Sequence, residues 1–292
     1  MKKILITGAG SFVGLSFEKY LGEYGNSYSV DTLDMLDSAW REYDFSSYDA
    51  VFHVAGIAHS DAGAISEERE KLYYAVNTEL TAEVATKAKA DGARQFIFMS
   101  SSIVYGAAAP IGKSRCITRD TKPDPENCYG KSKLMAEERI LPLDDGDFRV
   151  AVLRPPMIYG KGCKGNFVSL EKMARRLPVF PFIRNERSVL YIDNLCELVR
   201  LLIENGEGGI FHPQNSKYTC TSEMVRTIAR TQGRRVLLLR GFGPLLRFVG
   251  LFTSMVNKAF GSFTYGKELS EYKCEYCKYG FEESIKEIYG IR

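Results

Sequence analysis

Short apolar runs alternate with stretches of helical apolar spacing along the first half of the chain, and this alternation restricts the possible folds more than any other feature. In residues 74–91, for example, the apolar positions Val76, Leu80, Val84 and Ala88 fall on one helical face. Strands that alternate with helices form βαβ units, so the pattern predicts a parallel sheet covered by helices. The predicted strands are 3–7, 28–33, 49–55, 95–100 and 149–154, and the predicted helices are 12–24, 74–91 and 130–140.

After about residue 160 the alternation ends. Gly, Pro and aromatic residues become frequent, and four isolated helices are predicted at 167–176, 193–204, 222–232 and 281–289. We therefore predict an α/β fold in which a doubly wound parallel sheet, a dinucleotide-binding domain, occupies residues 1–160. A smaller C-terminal substrate-binding lobe is expected mainly in residues 161–292, partly interleaved with the first domain. A chain of 292 residues, 45% of them hydrophobic, can bury a core of this size.

Charge and cysteine usage narrow the expected partners. The formal net charge is +3 and the basic residues do not gather into one run, so a nucleic-acid partner is not expected. The first apolar run is too short for a signal peptide, and seven scattered cysteines are typical of free thiols, which predicts a cytoplasmic protein. Cys274 and Cys277 lack enough further ligands for zinc, so no metal site is expected.

Residues 236–260 form the most apolar later stretch. Arg240 and Arg247 interrupt it, and no uncharged apolar run reaches the roughly 18 residues of a membrane-spanning helix. The stretch therefore predicts no stable membrane insertion. We interpret it as a cover for the protein's own core, and a position on a membrane surface is the alternative.

A glycine-rich turn directly follows the first predicted strand and leads into a helix. The turn comprises Gly8, Gly10, Ser11, Phe12, Val13 and Gly14. Glycines at such a turn let the backbone approach a pyrophosphate, which binds at the helix N-terminus. The placement predicts a dinucleotide-binding site of the Rossmann type, with a plain tight turn as the alternative.

An acidic residue at the end of the second strand is the expected partner of the adenine ribose. Asp34 is the first candidate and Asp31 the second. A carboxylate there repels a 2′-phosphate, so the sequence favours NAD over NADP. Asp44 and Phe45, just before the third strand, are further candidates to flank the adenine.

Tyr129 and Lys133 are four residues apart at the start of a predicted helix and so share one face. A nearby ammonium favours the phenolate, and so would the positive nicotinamide of an oxidised cofactor. We therefore expect the pKa of Tyr129 to be lowered, which suits a group that removes a proton from a sugar hydroxyl. Ser101 and Ser102 follow the strand 95–100, at the end where ligands bind in open α/β sheets. Of the histidines, His53 is expected in the core. His59 follows the carboxyl end of the predicted strand 49–55 and is a candidate to touch substrate.

Together these motifs resemble the extended short-chain dehydrogenase/reductase family, in its NAD-dependent epimerase/dehydratase branch. The resemblance covers nearly the whole chain. It implies a Rossmann fold, bound NAD and a nucleotide-diphosphate sugar as substrate. The segments that carry it are 7–14, 49–56, Asn77, 100–106, 129–133, 154–160 and Arg187 with 191–195.

The resemblance also implies roles for individual residues. Tyr129 is the base, Lys133 its partner, and Ser101 the hydrogen-bonding group on the substrate, with Ser102 as the fallback. Arg187 matches an arginine that meets the sugar-nucleotide phosphates, and Asn166 matches a position near the nucleotide. The remaining cofactor candidates are Ala55, Gly56, Asn77 and Pro156. The resemblance is also compatible with a homodimer.

Two departures from the family pattern matter. Ser11 stands where the family has its middle glycine, with Gly10 one residue early, so the loop is expected to differ in its detailed shape from the family pattern. Ser102 and Ile103 stand where the dehydratases carry Asp-Glu. Isoleucine cannot act as an acid or base, so the sequence argues against dehydration and decarboxylation.

The leading hypothesis is an NAD-dependent 4-epimerase of a UDP-hexose or UDP-N-acetylhexosamine that works through a 4-keto sugar. A nucleotide 4-keto-sugar reductase of surface polysaccharide synthesis is the second hypothesis. A non-catalytic nucleotide-binding protein on the same fold is the third, and the presence of both Tyr129 and Lys133 argues against it.

Overall fold

The computed structural model describes residues 1–57 and 65–291. The strands are β1 (Lys2–Thr7), β2 (Tyr28–Leu33), β3 (Ala50–His53), β4 (Gln95–Met99), β5 (Cys116–Ile117), β6 (Arg149–Leu153), β7 (Met157–Tyr159), β8 (Val179–Pro181), β9 (Val189–Tyr191), β10 (Gly209–Phe211), β11 (Leu237–Leu239) and β12 (Thr264–Tyr265). The α-helices are α1 (Phe12–Gly22), α2 (Glu67–Tyr74), α3 (Leu80–Asp91), α4 (Cys128–Ile140), α5 (Asn166–Arg176), α6 (Ile192–Asn205), α7 (Thr221–Thr231), α8 (Gly243–Val249), α9 (Ser254–Phe260) and α10 (Phe281–Tyr289).

The chain divides into two compact units, and each is built from three separate segments. Unit 1 comprises Met1–Gly106, Pro123–Pro155 and Leu195–Pro213. Unit 2 comprises Ala107–Lys122, Pro156–Asn194 and Gln214–Arg292.

Unit 1 contains a six-stranded parallel sheet in the order β10-β6-β4-β3-β1-β2. The predicted doubly wound parallel sheet is therefore confirmed. Because β1 lies between β2 and β3, the direction of winding reverses at β1. In sheets of this kind ligands bind beyond the carboxyl ends of the strands at such a switch point.

Both faces of this sheet are covered. On one face, Leu5, Val51 and Phe96 belong to a fully buried cluster that includes side chains of α3 and α4. On the other face, the ring of Phe17 in α1 packs edge-on against Phe52 at a centroid distance of 5.2 Å. Neighbouring residues of a strand point to opposite faces, which explains why the buried strands are apolar throughout.

The helix predicted at 74–91 is part of a longer helical stretch. It begins earlier, at Glu67, where Ser66 accepts a hydrogen bond from the backbone nitrogen of Arg69. A π-helical turn, Ala75–Glu79, separates α2 from α3. π-Turns within helices are rare and are frequent at functional sites; this one contains the candidate residue Asn77.

Unit 2 has short parallel strand pairs, β7 with β9, β8 with β11 and β12 with β5. Its aromatic core includes Tyr159, whose ring lies 5.2 Å from that of Phe167 and 5.5 Å from that of Phe281. None of these two- and three-residue strands was expected from the sequence. No helix among residues 1–57 and 65–291 is both long and apolar enough to cross a bilayer.

The interpretation of residues 236–260 as a cover for the core is wrong for most of the stretch. Val236 and Phe260 at its two ends are buried. Between them, Leu251 and Phe252 expose 79% and 76% of their area. The helices α8 and α9 are too short to place all of the apolar side chains of this stretch on one buried face.

Candidate active site

The loop after β1 is shaped by its glycines. Gly8 has a φ of +114°, and a Cβ atom there would lie 2.6 Å from the backbone nitrogen of Ala55. Only glycine fits, because the loop approaches the end of β3 so closely. Ser11 caps α1, since its Oγ accepts a hydrogen bond of 3.1 Å from the backbone nitrogen of Gly14. The serine that departs from the family spacing thus closes the helix N-terminus, while Gly10, with a φ of +74°, makes the turn.

Phe12 and Val13 open α1. The first N–H groups of a helix have no partner within the helix, and they attract anions. The loop and this helix end therefore have the backbone geometry that a pyrophosphate needs.

Asp34 is exposed directly after β2. The backbone nitrogen of Gly8 donates a 2.9 Å hydrogen bond to the carbonyl of Leu33, so the glycine loop lies beside this strand end. Asp31 accepts a 2.7 Å hydrogen bond from the hydroxyl of Tyr48. Asp34 accepts a 3.0 Å hydrogen bond from the backbone nitrogen of Leu36, so both carboxylates have a partner within the protein. Asp34 is the more exposed of the two, and its predicted contact with the ribose stays a prediction.

Asp44 and Phe45 have local roles in the structure. The Asp44 carboxylate accepts hydrogen bonds from the backbone nitrogen and hydroxyl of Ser46, at 2.8 and 2.9 Å, and these bonds lower its pKa. The Phe45 ring is fully buried in the core cluster. Their predicted contact with the adenine stays a prediction.

In the loop after β3, the backbone of Gly56 lies close to the side chains of two candidate residues, Asn77 and Lys133. A Cβ atom at Gly56 would lie 3.0 Å from both the Oδ1 of Asn77 and the Nζ of Lys133. Asn77 is fully buried, accepts a 2.9 Å hydrogen bond from the backbone nitrogen of Ile57 and donates one of 3.0 Å to the hydroxyl of Ser132. Asn77 therefore ties this loop to α4, and its predicted contact with the cofactor is untested.

Tyr129 lies in the first turn of α4, whose N-terminus is capped by Asn127. The Asn127 Oδ1 accepts a 2.8 Å hydrogen bond from the backbone nitrogen of Gly130. Burial raises the pKa of the Tyr129 phenol, against a hydrogen bond with Ser101 that lowers it. In the protein alone, desolvation of the phenolate outweighs its stabilisation. The lowering of the Tyr129 pKa that was predicted beside an oxidised nicotinamide stays a prediction.

Ser101 and Ser102 follow β4, where the chain turns into a 3-10 helix, Ser102–Tyr105. The backbone nitrogen of Ser102 donates a 2.9 Å hydrogen bond to the carbonyl of Pro155 beyond β6. Pro156, next in the chain, is buried. Of the two serines, Ser101 lies close enough to Tyr129 to lower the pKa of its phenol, which favours Ser101 over Ser102 as its partner.

Lys133 is 4% exposed, and its ammonium donates a 2.8 Å hydrogen bond to the carbonyl of Met99. Burial lowers its pKa from 10.5 to about 7, although the nearby Glu137 carboxylate acts in the opposite direction. The unfolded chain binds more protons than the folded chain between those two pH values. The lysine therefore makes stability rise with pH from about 7 to 10.5, and its full cost is present below about 7.

A buried polar network continues below Lys133. Glu137 is fully buried and accepts hydrogen bonds from the Nε of Arg154, at 3.1 and 3.2 Å, and from the hydroxyl of Ser100. Arg154 also donates a 2.6 Å hydrogen bond to the hydroxyl of Tyr105, which lies 2.7 Å from the Nε2 of His212. Burial alone would lower the pKa of Arg154, but its bonds with Glu137 raise it overall.

The sequence analysis did not identify this network. Glu137 lies four residues after Lys133 and eight after Tyr129, so the helical spacing was a usable signal. The position of Glu137 explains how the chain is held at the end of β4. Its carboxylate accepts a hydrogen bond from the hydroxyl of Ser100, the residue immediately before Ser101.

The expectation that His53 is a core histidine is confirmed. It is fully buried, and its ring nitrogens lie 2.7 Å from the hydroxyl of Thr7 and 3.1 Å from that of Thr81. Burial lowers its pKa to about 3. His59 lies outside the described residues.

In unit 2, Asn166 is exposed at the start of α5. Arg187 donates hydrogen bonds to two backbone carbonyls, of Lys258 at 2.7 Å and of Gly261 at 3.3 Å. Burial lowers its pKa. Neither residue's predicted contact with a nucleotide is tested by these positions.

Unit 2 also contains a cavity of about 510 Å³. Three arginines line it together with apolar side chains. The arginines are Arg184, Arg240 and Arg247. Guanidinium groups suit phosphate recognition, and the sequence analysis did not single out this group.

No group of three or more His, Cys, Asp or Glu that could hold a metal ion occurs in the part of the chain that the structure describes. Cys277 donates a 3.1 Å hydrogen bond to the carbonyl of Gln214. Cys274 is exposed.

Residues 4–212 match the model of the family described as the NAD dependent epimerase/dehydratase family. The chain is 30% identical over 253 residues to a UDP-glucose 4-epimerase of Vibrio cholerae, which covers 78% of this chain and 75% of that one. It is 26% identical over 225 residues to an N-acetyl-alpha-D-glucosaminyl-diphospho-ditrans,octacis-undecaprenol 4-epimerase of Escherichia coli O157:H7, covering 70% of this chain and 64% of the other.

Among solved structures, a dTDP-4-dehydrorhamnose reductase of Clostridium acetobutylicum is similar, with a TM-score of 0.74 and 19% identity. The similarity covers 99% of this chain and 98% of that one. At 19% identity this similarity shows a shared fold and nothing further.

Proposed function

Because this chain belongs to the NAD-dependent epimerase/dehydratase family, we propose that it is a nucleotide-sugar 4-epimerase acting on a UDP-hexose or UDP-N-acetylhexosamine. The observation that carries the proposal is that Ser101, at the end of β4, lies close enough to Tyr129 to act on the pKa of its phenol, with Lys133 on the same helix as Tyr129. This is the arrangement needed to move a proton at a sugar hydroxyl.

The residues of unit 1 fit a dinucleotide. Gly8 has no side chain, and any side chain there would collide with the backbone of Ala55. The N-terminus of α1 directly follows this loop, and Asp34 is exposed directly after β2. When bound, NAD supplies the acceptor for the hydride of carbon 4 and the donor that returns it. Asp34 favours NAD because its carboxylate repels a 2′-phosphate.

Tyr129 takes the proton of the 4-hydroxyl and later returns it to the 4-keto oxygen. Its raised pKa keeps the phenol neutral in the protein alone, so Tyr129 must first lose its proton to solvent before it can act as a base. The positive nicotinamide of oxidised NAD beside it would favour that phenolate. Ser101 holds the same oxygen by a hydrogen bond, which stabilises the charge that develops there. Ile103 supplies no acid or base, so water is not eliminated.

The sugar diphosphate is the unit that we propose the protein recognises. The name of the E. coli relative gives a sugar joined through a diphosphate to a polyprenyl lipid, and UDP-sugars share that diphosphate. Arg187 and the arginines of the cavity in unit 2 are the candidates to bind it. UDP is the first carrier to test and a polyprenyl lipid the second.

The test is to identify the nucleotide that purifies with the protein by mass spectrometry and then to incubate the protein with UDP-sugars. Conversion between 4-epimers without added NADH or NADPH supports the proposal. Steady oxidation of added NADH or NADPH with a 4-keto sugar, and no epimer, would show a reductase instead. A protein that binds UDP-sugars without converting any of them would support the non-catalytic alternative.

A further inference from the structure

An exposed apolar surface occupies residues 242–255 of unit 2, which we call the apolar segment. Its large side chains face solvent along α8, the following turn and the start of α9. They are Phe242, Leu245, Phe248, Leu251, Phe252 and Met255. The rings of Phe248 and Phe252 lie 5.2 Å apart, so these two side chains are in contact. Contiguous apolar patches of this kind mark sites of interaction.

The segment is held in place rather than loosely attached. The Asn257 side chain donates a 2.9 Å hydrogen bond to the carbonyl of Gly250 and accepts one of 3.3 Å from the backbone nitrogen of Ile111. The guanidinium of Arg247 packs across Gly112, where a Cβ atom would overlap it. The apolar side chains are therefore presented outward by a fixed backbone.

The stretch of chain that contains the segment carries charges of one sign. No Asp or Glu occurs between Glu223 and Glu268, and eight basic residues lie in that interval. They are Arg226, Arg230, Arg234, Arg235, Arg240, Arg247, Lys258 and Lys267. All eight are exposed, and among the described residues only Arg226 forms an ion pair, with Glu223.

We propose that the apolar segment docks on the surface of an anionic lipid bilayer. Exposed Leu, Phe and Met side chains enter the boundary between headgroups and acyl chains, and the surrounding arginines and lysines meet the negative headgroups. A second copy of this chain fits less well, because it would bring two stretches of chain that carry only basic charges together. α8 and α9, of seven residues each, are roughly 10 Å long, so the segment lies on the bilayer and does not cross it.

The contributions of the apolar and the basic side chains to membrane affinity can be estimated from general binding energies. Burying one Leu or Phe side chain strengthens binding by about tenfold or more. Each basic side chain near an anionic surface adds about fivefold. The two effects can be separated by substitution, since the apolar and basic groups are different residues.

The experiment measures binding of the full chain to vesicles of phosphatidylcholine with and without phosphatidylglycerol, by sedimentation. We expect binding to the anionic vesicles, weakening with salt, and little binding to the neutral ones. Leu251→Gln with Phe252→Gln should weaken binding by about a hundredfold. Arg240→Gln with Lys258→Gln should weaken it by about twentyfold on anionic vesicles only.

The matched control is Leu177→Gln with Ile210→Gln, two exposed apolar residues outside the segment, which should bind as the wild type does. The proposal is overturned if the protein does not bind anionic vesicles, or if the Leu251 and Phe252 variant binds them equally well. It is also overturned if that variant only abolishes a dimer seen by light scattering, because the segment would then contact a second copy. None of these outcomes depends on which reaction the protein catalyses.

Discussion

The buried carboxylate of Glu137 is predicted to be the most important charged group for the stability of unit 1. Glu137 is fully buried, while Arg154 is 6% exposed and pairs with it through two nitrogens. Glu137→Gln would remove the negative charge and leave the guanidinium, which stays protonated, without a charged partner. Breaking a buried ion pair in this way costs about 3–5 kcal/mol.

Calorimetric unfolding tests this prediction. For a chain of this size, about 3–5 kcal/mol corresponds to a fall in melting temperature of roughly 6–20 °C. The matched control is Glu83→Gln, which removes the partner of Arg41 in an ion pair whose side chains are about half exposed, at 49% and 51%. Such surface pairs contribute less than about 1 kcal/mol.

A double variant separates the charge effect from packing. Glu137→Leu with Arg154→Met removes both charges and should recover much of the lost stability, because apolar side chains of similar size can replace a buried pair. The reasoning is refuted if Glu137→Gln melts at the same temperature as Glu83→Gln.

Three further predictions concern the cofactor site. Gly8→Ala should weaken NAD binding by about tenfold or more, because a Cβ atom would collide with the backbone of Ala55 and alanine is strained at this φ. Calorimetric titration measures the affinity. Gly22→Ala is the control and should bind NAD normally, because a Cβ atom there would have no neighbour within 4 Å. Lys133→Met should stabilise nucleotide-free protein by up to about 5 kcal/mol at and below neutral pH, with the gain disappearing above pH 10.5, as urea unfolding at several pH values would show. Asp34→Asn should bring the affinities for NAD and NADP closer together, whereas Asp31→Asn should leave their ratio unchanged; equal ratios in both variants would contradict the assignment of Asp34.

Long periodic elements could be predicted from the sequence, and short ones could not. The second strand was predicted at 28–33 and lies there, and the helix predicted at 130–140 is α4 with two more residues at its start. Strands such as β5, with two residues, are too short to show any alternation. The π-turn within the long helix is also invisible, since its apolar spacing differs little from that of an α-helix.

For the candidate site, the sequence could propose residues but could not indicate their pKa values. Tyr129 and Lys133 were recognised from their spacing, but the direction of the Tyr129 pKa depends on burial, which spacing does not reveal. Arg154 was noted only as part of a family segment, because its partner Glu137 is 17 residues away. The exposure of Leu251 was missed for a related reason: an apolar run has the same sequence whether it covers a core or faces solvent.

The central claim is that Tyr129 moves the proton in a reaction that consumes no external cofactor. Its most direct test is the rate at which purified Tyr129→Phe protein interconverts UDP-sugar 4-epimers, followed by proton NMR without added NADH or NADPH. Removal of the hydroxyl should lower turnover by about a hundredfold or more, while Lys131→Met, an exposed position on the same helix, should not change it. Unchanged turnover in the Tyr129→Phe protein would contradict the account.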